Sequence, residues 1–318
     1  MAVETISRPT TKLFGETVSL TTTAAHLLYR PTYQQALMYC ASDWRCGLAP
    51  KLATVKYYNG STYTDYTSQA TDRDAATHVP LDAMTTAHTL YLGVTGATRG
   101  FYFNLDVTNL NAVAASLDFE YLYDTAKPGY LKITGTVSAA LTVGETVTGQ
   151  TSGVTATHVY DDGSTYIIVK NMSGGRFVIG EDIDGAAQTC DDITAIDPVT
   201  PGTGYFTDVG TDSDGTLTGT ETLSQDGLYA FTLPAVTRGI LTNLGGPLYW
   251  YRFTPSATLS ATIDVIDLIP ACDTTDYGYM QGGSVYQVSL NSEVNGAFEF
   301  DHTGTDTLNI TWGRHLSV

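Results

Sequence analysis

From Leu90 to Asp124, and again from Tyr205 to Pro270, apolar and polar residues alternate between turn signals. That period of two constrains the fold more than any other feature. Residues two apart share one face of a strand, whereas a helix needs apolar residues three and four apart. The run SLDFEYLYD places Leu117, Phe119, Tyr121 and Tyr123 on one face. LYWYRF places Leu248, Trp250 and Arg252 on one face and Tyr249, Tyr251 and Phe253 on the other. A strand apolar on both sides belongs in the middle of packed sheets or at an interface. The two stretches read as halves of one split β-sandwich, 90–128 and 203–272, interrupted by an insertion at 129–202.

The insertion repeats itself. VGETVTG at 143–149 and IGEDIDG at 179–185 share the pattern [VI]-G-E-x-[VI]-x-G, with Gly144 and Gly180 36 residues apart. Two copies are too few for a solenoid. A small two-lobed β-barrel or a pair of paired hairpins fits, with Asp162-Gly163 turning one hairpin. Residues 1–89 read as an N-terminal β region, in which Asn59-Gly60 predicts a two-residue type I′ turn. Residues 68–89 read as a long loop without apolar periodicity, whose order is expected to come from other chains. Residues 273–318 add C-terminal strands. Abundant Thr, 21 Tyr and 31 Gly suit pleated surfaces and tight turns. The expected class is all-β: a multi-domain β-sandwich with an inserted small β domain.

Acidic residues number 33 against 15 basic ones, for a net charge of −18. No Lys/Arg cluster is visible, so nucleic acid is not an expected partner. No apolar run reaches the ~18 residues needed to cross a bilayer, so no membrane partner is expected either. MAVETISRPTTKLF lacks the basic-then-apolar pattern of a secretory leader, which predicts a soluble, cytosol-made chain. Cys40, Cys46, Cys190 and Cys272 match no zinc spacing. Free thiols are expected, with a Cys40–Cys46 disulfide as the alternative.

Asp208, Asp212 and Asp214, in DVGTDSDGT, resemble the start of a calcium loop, where alternate carboxylates supply hard oxygen ligands. They lack the distal Glu, and a solvated Asp/Gly turn is the competing reading. Glu145 and Glu181 could serve as an acid–base pair, but duplication explains their placement better, as a polar residue after a turn Gly placed twice. His26, His78, His88, His158, His302 and His315 show no metal spacing, and no G-x-S-x-G elbow occurs. The tyrosines with Trp44, Trp250 and Trp312 could stack sugars, or could form core and interface. No catalytic, cofactor-binding or metal-binding residue is therefore expected, and no enzyme.

The motifs RGFYFNL at Arg99–Leu105, LDFEYLY at Leu117–Tyr123, QDGL at Gln225–Leu228, LYWYR at Leu248–Arg252 and VGETVTGQTSG at Val143–Gly153 resemble β modules of tailed-bacteriophage virion proteins. The resemblance covers residues 90–270 and implies a non-enzymatic viral structural protein, synthesised in the host cytoplasm and residing in the virion. Within that class it suggests a capsid decoration (cement) protein. Its expected partners are the major capsid protein, other virion proteins and copies of itself, with a trimer matching the local three-fold sites of capsids. A tail or head–tail junction protein and a carbohydrate-binding adhesion module are the alternatives.

Overall fold

The computed structural model describes residues 14–20, 26–28, 35–72, 74, 76–272, 278–289, 295–302 and 305–313. Among these residues there is no helix, and strands make up 54% of the structure, so the chain is all-β, consistent with a multi-domain β-sandwich. It divides into two compact units: Met1–Phe119, Val209–Pro234 and Tyr251–Val318 form one, Glu120–Asp208 and Ala235–Trp250 the other.

In the first unit, both ends of the chain build one sandwich. β1 (Phe14–Leu20), β2 (His26–Leu28), β3 (Gln35–Tyr39) and β4 (Trp44–Pro50) interleave with β23 (Gly278–Met280), β24 (Val285–Ser289), β25 (Asn295–His302) and β26 (Asp306–Gly313). The sheet orders are β1-β26-β3-β24 and β2-β25-β4-β23. Met38, Trp44, Cys46, Phe298, Phe300, Leu308 and Ile310 are buried between them. Sequence patterning places residues 1–89 and 273–318 in separate regions. Pairing such as Phe14↔Trp312 joins them, and partners so distant leave no local trace.

The same unit holds β5 (Leu52–Tyr58), β6 (Tyr63–Asp65), β7 (Val79–Pro80), β8 (Thr89–Val94), β9 (Gly100–Leu105), β18 (Thr211–Asp214), β19 (Gly227–Phe231) and β22 (Asp264–Pro270). The unit boundary falls inside β10 (Leu117–Thr125) and β21 (Gly245–Pro255). One sheet runs β18-β19-β9-β22-β7. Its core is aromatic: Phe119 lies 4.5 Å from Tyr229 and 4.9 Å from Phe253, ring centre to ring centre, and stacks on Phe101 at 5.9 Å. Rings of this size carry most of the buried apolar area of a small sandwich.

Two local expectations are corrected. Asn59-Gly60 does not form a two-residue type I′ turn. The loop joining Tyr58 to Tyr63 has four residues, and among its glycines and neighbours only Gly60 has positive φ, 90°. The Asn59 side-chain carbonyl accepts from the backbone amides of Ser61 (3.1 Å) and Thr62 (2.9 Å), which fixes the longer loop instead. Segment 68–89 does not depend on other chains for its order. Ala70, Val79, Leu81 and Met84 are all 0% exposed. Leu81 N donates to Ile263 O and Leu259 N to Met84 O. Their irregular spacing has neither the helical nor the strand period, so periodicity misses the anchors. The same expectation, of order supplied by other chains, applies to the N-terminal segment 1–14, of which residues 1–13 lie outside the described residues.

The second unit contains a closed barrel of β11 (Leu131–Val137), β12 (Thr146–Gly149), β13 (Thr155–Asp161), β14 (Tyr166–Ser173), β15 (Ile183–Asp184) and β16 (Thr189–Pro198). The ring order is β11-β14-β13-β12-β15-β16. Exchanging β11 with β14, β12 with β15 and β13 with β16 leaves that order unchanged, as an internal duplication requires. Ile133, Val147, Val169, Ile183 and Ile193 fill the interior. Asp162-Gly163 turns β13 into β14, with Gly163 at φ 72° and Asp162 Oδ1 accepting from the amides of Ser164, Thr165 and Tyr166. β17 (Gly204–Asp208) pairs with β10, and β20 (Arg238–Leu241) with β21. Within the first unit, β5 pairs antiparallel with both β6 and β8.

Candidate functional site

The repeated glutamates are where duplication becomes chemistry. Gly144 and Gly180 have φ of 88° and 86°, the left-handed turn that glycine permits. Gly144 N and Gly180 N donate to His158 O and Ile193 O, and the amides of those two residues donate back to Glu145 O and Glu181 O. Each glutamate side chain then accepts from the amide three residues before it: Thr142 N to Glu145 Oε1 at 3.0 Å, Val178 N to Glu181 Oε1 at 2.6 Å. Each also reaches into the other copy. Glu145 Oε2 accepts from Ala186 N at 3.0 Å, while Glu181 Oε2 accepts from Ser152 N at 2.8 Å and Thr151 N at 3.1 Å.

The close approach depends on the last glycine of each motif. A Cβ at Gly149 would sit 2.7 Å from Glu181 Oε2, and one at Gly185 2.7 Å from Glu145 Oε1. Burial acts to raise the Glu181 pKa, but the bonds from Val178, Ser152 and Thr151 outweigh it and hold the carboxyl below its ordinary range. With the amides of Val178, Ser152 and Thr151 and the Ser152 hydroxyl all donating to it, the Glu181 carboxylate is a cross-brace between the two copies.

Asp208, Asp212 and Asp214 do not converge. Asp208 ends β17 and the other two lie on β18. Asp214 Oδ1 accepts from Thr216 N (2.8 Å) and Thr216 Oγ1 (2.6 Å), and its Oδ2 from Thr222 Oγ1 (2.7 Å). Asp212 accepts from Thr232 Oγ1 at 3.0 Å. Among the described residues no three His, Cys, Asp or Glu side chains gather as a metal site.

The histidines are likewise dispersed. His78 Nε2 stands 2.9 Å from Asp264 Oδ1, and His88 Nδ1 lies 2.9 Å from Tyr57 OH. His158 is buried in the barrel, 3.1 Å from Asp161 Oδ2. His26 and His302 lie on β2 and β25, and His315 lies outside the described residues. All four cysteines are buried free thiols. Burial, reinforced by Cys272 and Glu299, pushes the Cys46 thiol up to about 12.

Two networks had no sequence signal. Arg99 pairs with Glu299, whose Oε2 also accepts from Cys272 N at 2.5 Å. Asp124 pairs with Lys170 and accepts from Tyr130 OH at 2.8 Å. Opposite charges separated by 200 residues in the first case have no spacing rule that would reveal them.

Trp44 and Trp250 are fully buried and cannot form a surface platform; the Trp312 side chain lies outside the described residues. A tyrosine cluster reaches the surface at Tyr63, with Tyr58 half-buried and Tyr91 buried beneath it. Tyr63 lies 4.8 Å from Tyr58 and 5.9 Å from Tyr91, beside the Lys56–Asp65 ion pair at 2.7 Å.

A second surface is distinguished by what it lacks. Along β26, β3 and β24, Thr307, Asn309, Thr311, Leu37, Tyr39, Val285, Gln287 and Ser289 alternate with the core-facing residues and are exposed or half-buried. None is charged, in a chain with 33 acidic residues. Val285 is 65% exposed. No family model, curated protein or solved structure matches this chain.

Proposed function

We propose that this chain is a virion structural protein of a tailed phage or related virus, and within that class a capsid decoration protein. It would act by surface burial between major capsid subunits, without catalysis. The observation that carries this reading is the uncharged face of β26-β3-β24 on a strongly acidic molecule. Such a face loses less hydration energy when covered than one carrying carboxylates, and its Thr, Asn, Gln and Ser side chains can re-form hydrogen bonds with a partner. The carboxylates that resembled a site act as internal hydrogen-bond acceptors, which leaves contact surface as the more prominent functional feature.

The test is reconstitution. Particles assembled without the protein should lose DNA at lower temperature or milder osmotic stress, and adding it back should restore them. Particles equally robust with and without it overturn the reading. Labelling that places the chain on the tail moves it to the tail or junction class.

The tyrosine cluster favours the adhesion reading as the second choice, since an exposed tyrosine ring beside an ion pair suits the apolar face and hydroxyls of a sugar. Glycan binding that disappears in Tyr63→Ala would establish it.

A further inference from the structure

We propose that Asn59 is a self-modifying site: the backbone nitrogen of Gly60 attacks the Asn59 side-chain amide, ammonia leaves, and water opens the resulting ring to aspartate or isoaspartate. This inference does not rest on the virion reading. It rests on how the loop between β5 and β6 presents the atoms that the reaction needs.

The electrophile is Asn59 Cγ. Its oxygen, Oδ1, accepts from four donors: Ser61 N at 3.1 Å, Thr62 N at 2.9 Å, Ser61 Oγ at 3.0 Å and Thr62 Oγ1 at 3.2 Å. Donors gathered on a carbonyl oxygen draw electrons from its carbon, and they are already in place for the negative charge that builds there during attack. The leaving group, Asn59 Nδ2, and the nucleophile, Gly60 N, donate to no acceptor among the described residues. The loop is closed instead by Asn59 N donating to Thr62 O at 3.2 Å and Tyr58 OH to Gly60 O at 2.7 Å. The fold therefore holds everything except the two groups that must change partners. Gly60 has no side chain to shield its nitrogen, and its φ of 90° favours glycine. Residues 59–62 are all exposed, so water reaches each atom involved.

The atoms balance without an oxidant or reductant. A solvent base takes the Gly60 N–H proton, the nitrogen bonds to Cγ, and Oδ1 takes up the electron pair of the C=O bond. Return of that pair breaks the Cγ–Nδ2 bond, and Nδ2 leaves as ammonia with a proton from water. Water then adds to either ring carbonyl and breaks its bond to Gly60 N. Opening at Cγ gives aspartate. Opening at the main-chain carbonyl gives isoaspartate, whose main chain runs through Cγ. The net change consumes water and releases ammonia. Either product adds a carboxylate beside the Tyr58–Tyr63 ring pair. Isoaspartate also lengthens the loop that Asn59 and Thr62 close.

The folded, full-length chain in heavy-oxygen water at mildly alkaline pH should take up heavy oxygen at residue 59, read from the mass of the peptide that contains it. Part of the product should accept a methyl group from an isoaspartyl methyltransferase. The rate should rise with pH, because the deprotonated amide is the attacking species. Asn59→Gln makes the ring larger and harder to close, and should stop the uptake. Ser61→Ala combined with Thr62→Val removes the two hydroxyl donors. That pair should slow the folded chain about tenfold, less than the ~10²–10³ of an enclosed oxyanion donor because this loop is wet. In urea, wild type and this variant should convert at equal rates, which separates loss of the loop from loss of the fold. The other Asn-Gly pair, Asn295-Gly296, begins β25 in its ladder with β4 and serves as the internal reference. Conversion of wild type only in urea, uptake at Asn295 without uptake at Asn59, or equal folded-state rates for wild type and the Ser61→Ala, Thr62→Val chain overturns the proposal.

Discussion

Glu181 is a residue whose contribution depends on pH. Its carboxyl is held below the ordinary value, so the folded state binds its proton less readily than the unfolded chain. The stabilisation is present above the unfolded pKa and is lost as pH falls through the folded one. Unfolding temperature should therefore decline below about pH 5, and Glu181→Gln should flatten that decline while costing about 1–3 kcal/mol at neutral pH by urea titration. Gly149→Ala should cost a similar amount by displacing the same carboxylate, and the two changes together should cost less than their sum. Chelators should leave the unfolding temperature unchanged, because Asp214 already spends its oxygens on Thr216 and Thr222. Arg99→Met should be severe, about 3–5 kcal/mol, because it strands a fully buried Glu299; adding Glu299→Leu should recover much of the loss.

Elements differ in how legible they were. The strands around Phe119 and Trp250 followed from alternation, and the barrel halves from the doubled V-G-E motif, because both signals are local; past Phe119, however, burial passes from the expected Tyr121 and Tyr123 to Leu122 and Asp124, beside a register shift that alternation does not reveal. The terminal sandwich did not, because β1 finds its partner in β26 at the far end of the chain. The glutamate positions were visible, but not their role, since Ala186 N, one of the donors to Glu145, comes from the other copy. The barrel should behave as a separable element. Ala126 N donates to Thr203 O at 2.8 Å, so the chain enters and leaves at one point. Joining 129 to 202 with a short linker should leave a folded, cooperatively melting β protein by circular dichroism; insoluble or unstructured product would count against this.

At the scale of the whole molecule, charge is distributed by exclusion. With 33 acidic residues, the chain keeps them off the described face of β26, β3 and β24. Binding to a protein surface through that face should not weaken steeply with added salt, whereas binding to nucleic acid would. Affinity measured across a salt series distinguishes the two slopes.

The common doorway of the barrel also sets an order of failure under load. Glu120 faces Asp208 at the outer end of the β10–β17 ladder, and Thr125 faces Gly204 at its inner end. Tension drawing Glu120 and Asp208 apart peels this ladder one rung at a time, like a zip, until the Ala126–Thr203 bond parts. At the inner end the load also passes through Asp124, which holds Tyr130 and Lys170, into the braced ring behind them. The ladder is a sacrificial fuse, and the barrel should yield last, as a second and sharper rip in a single-molecule pulling trace.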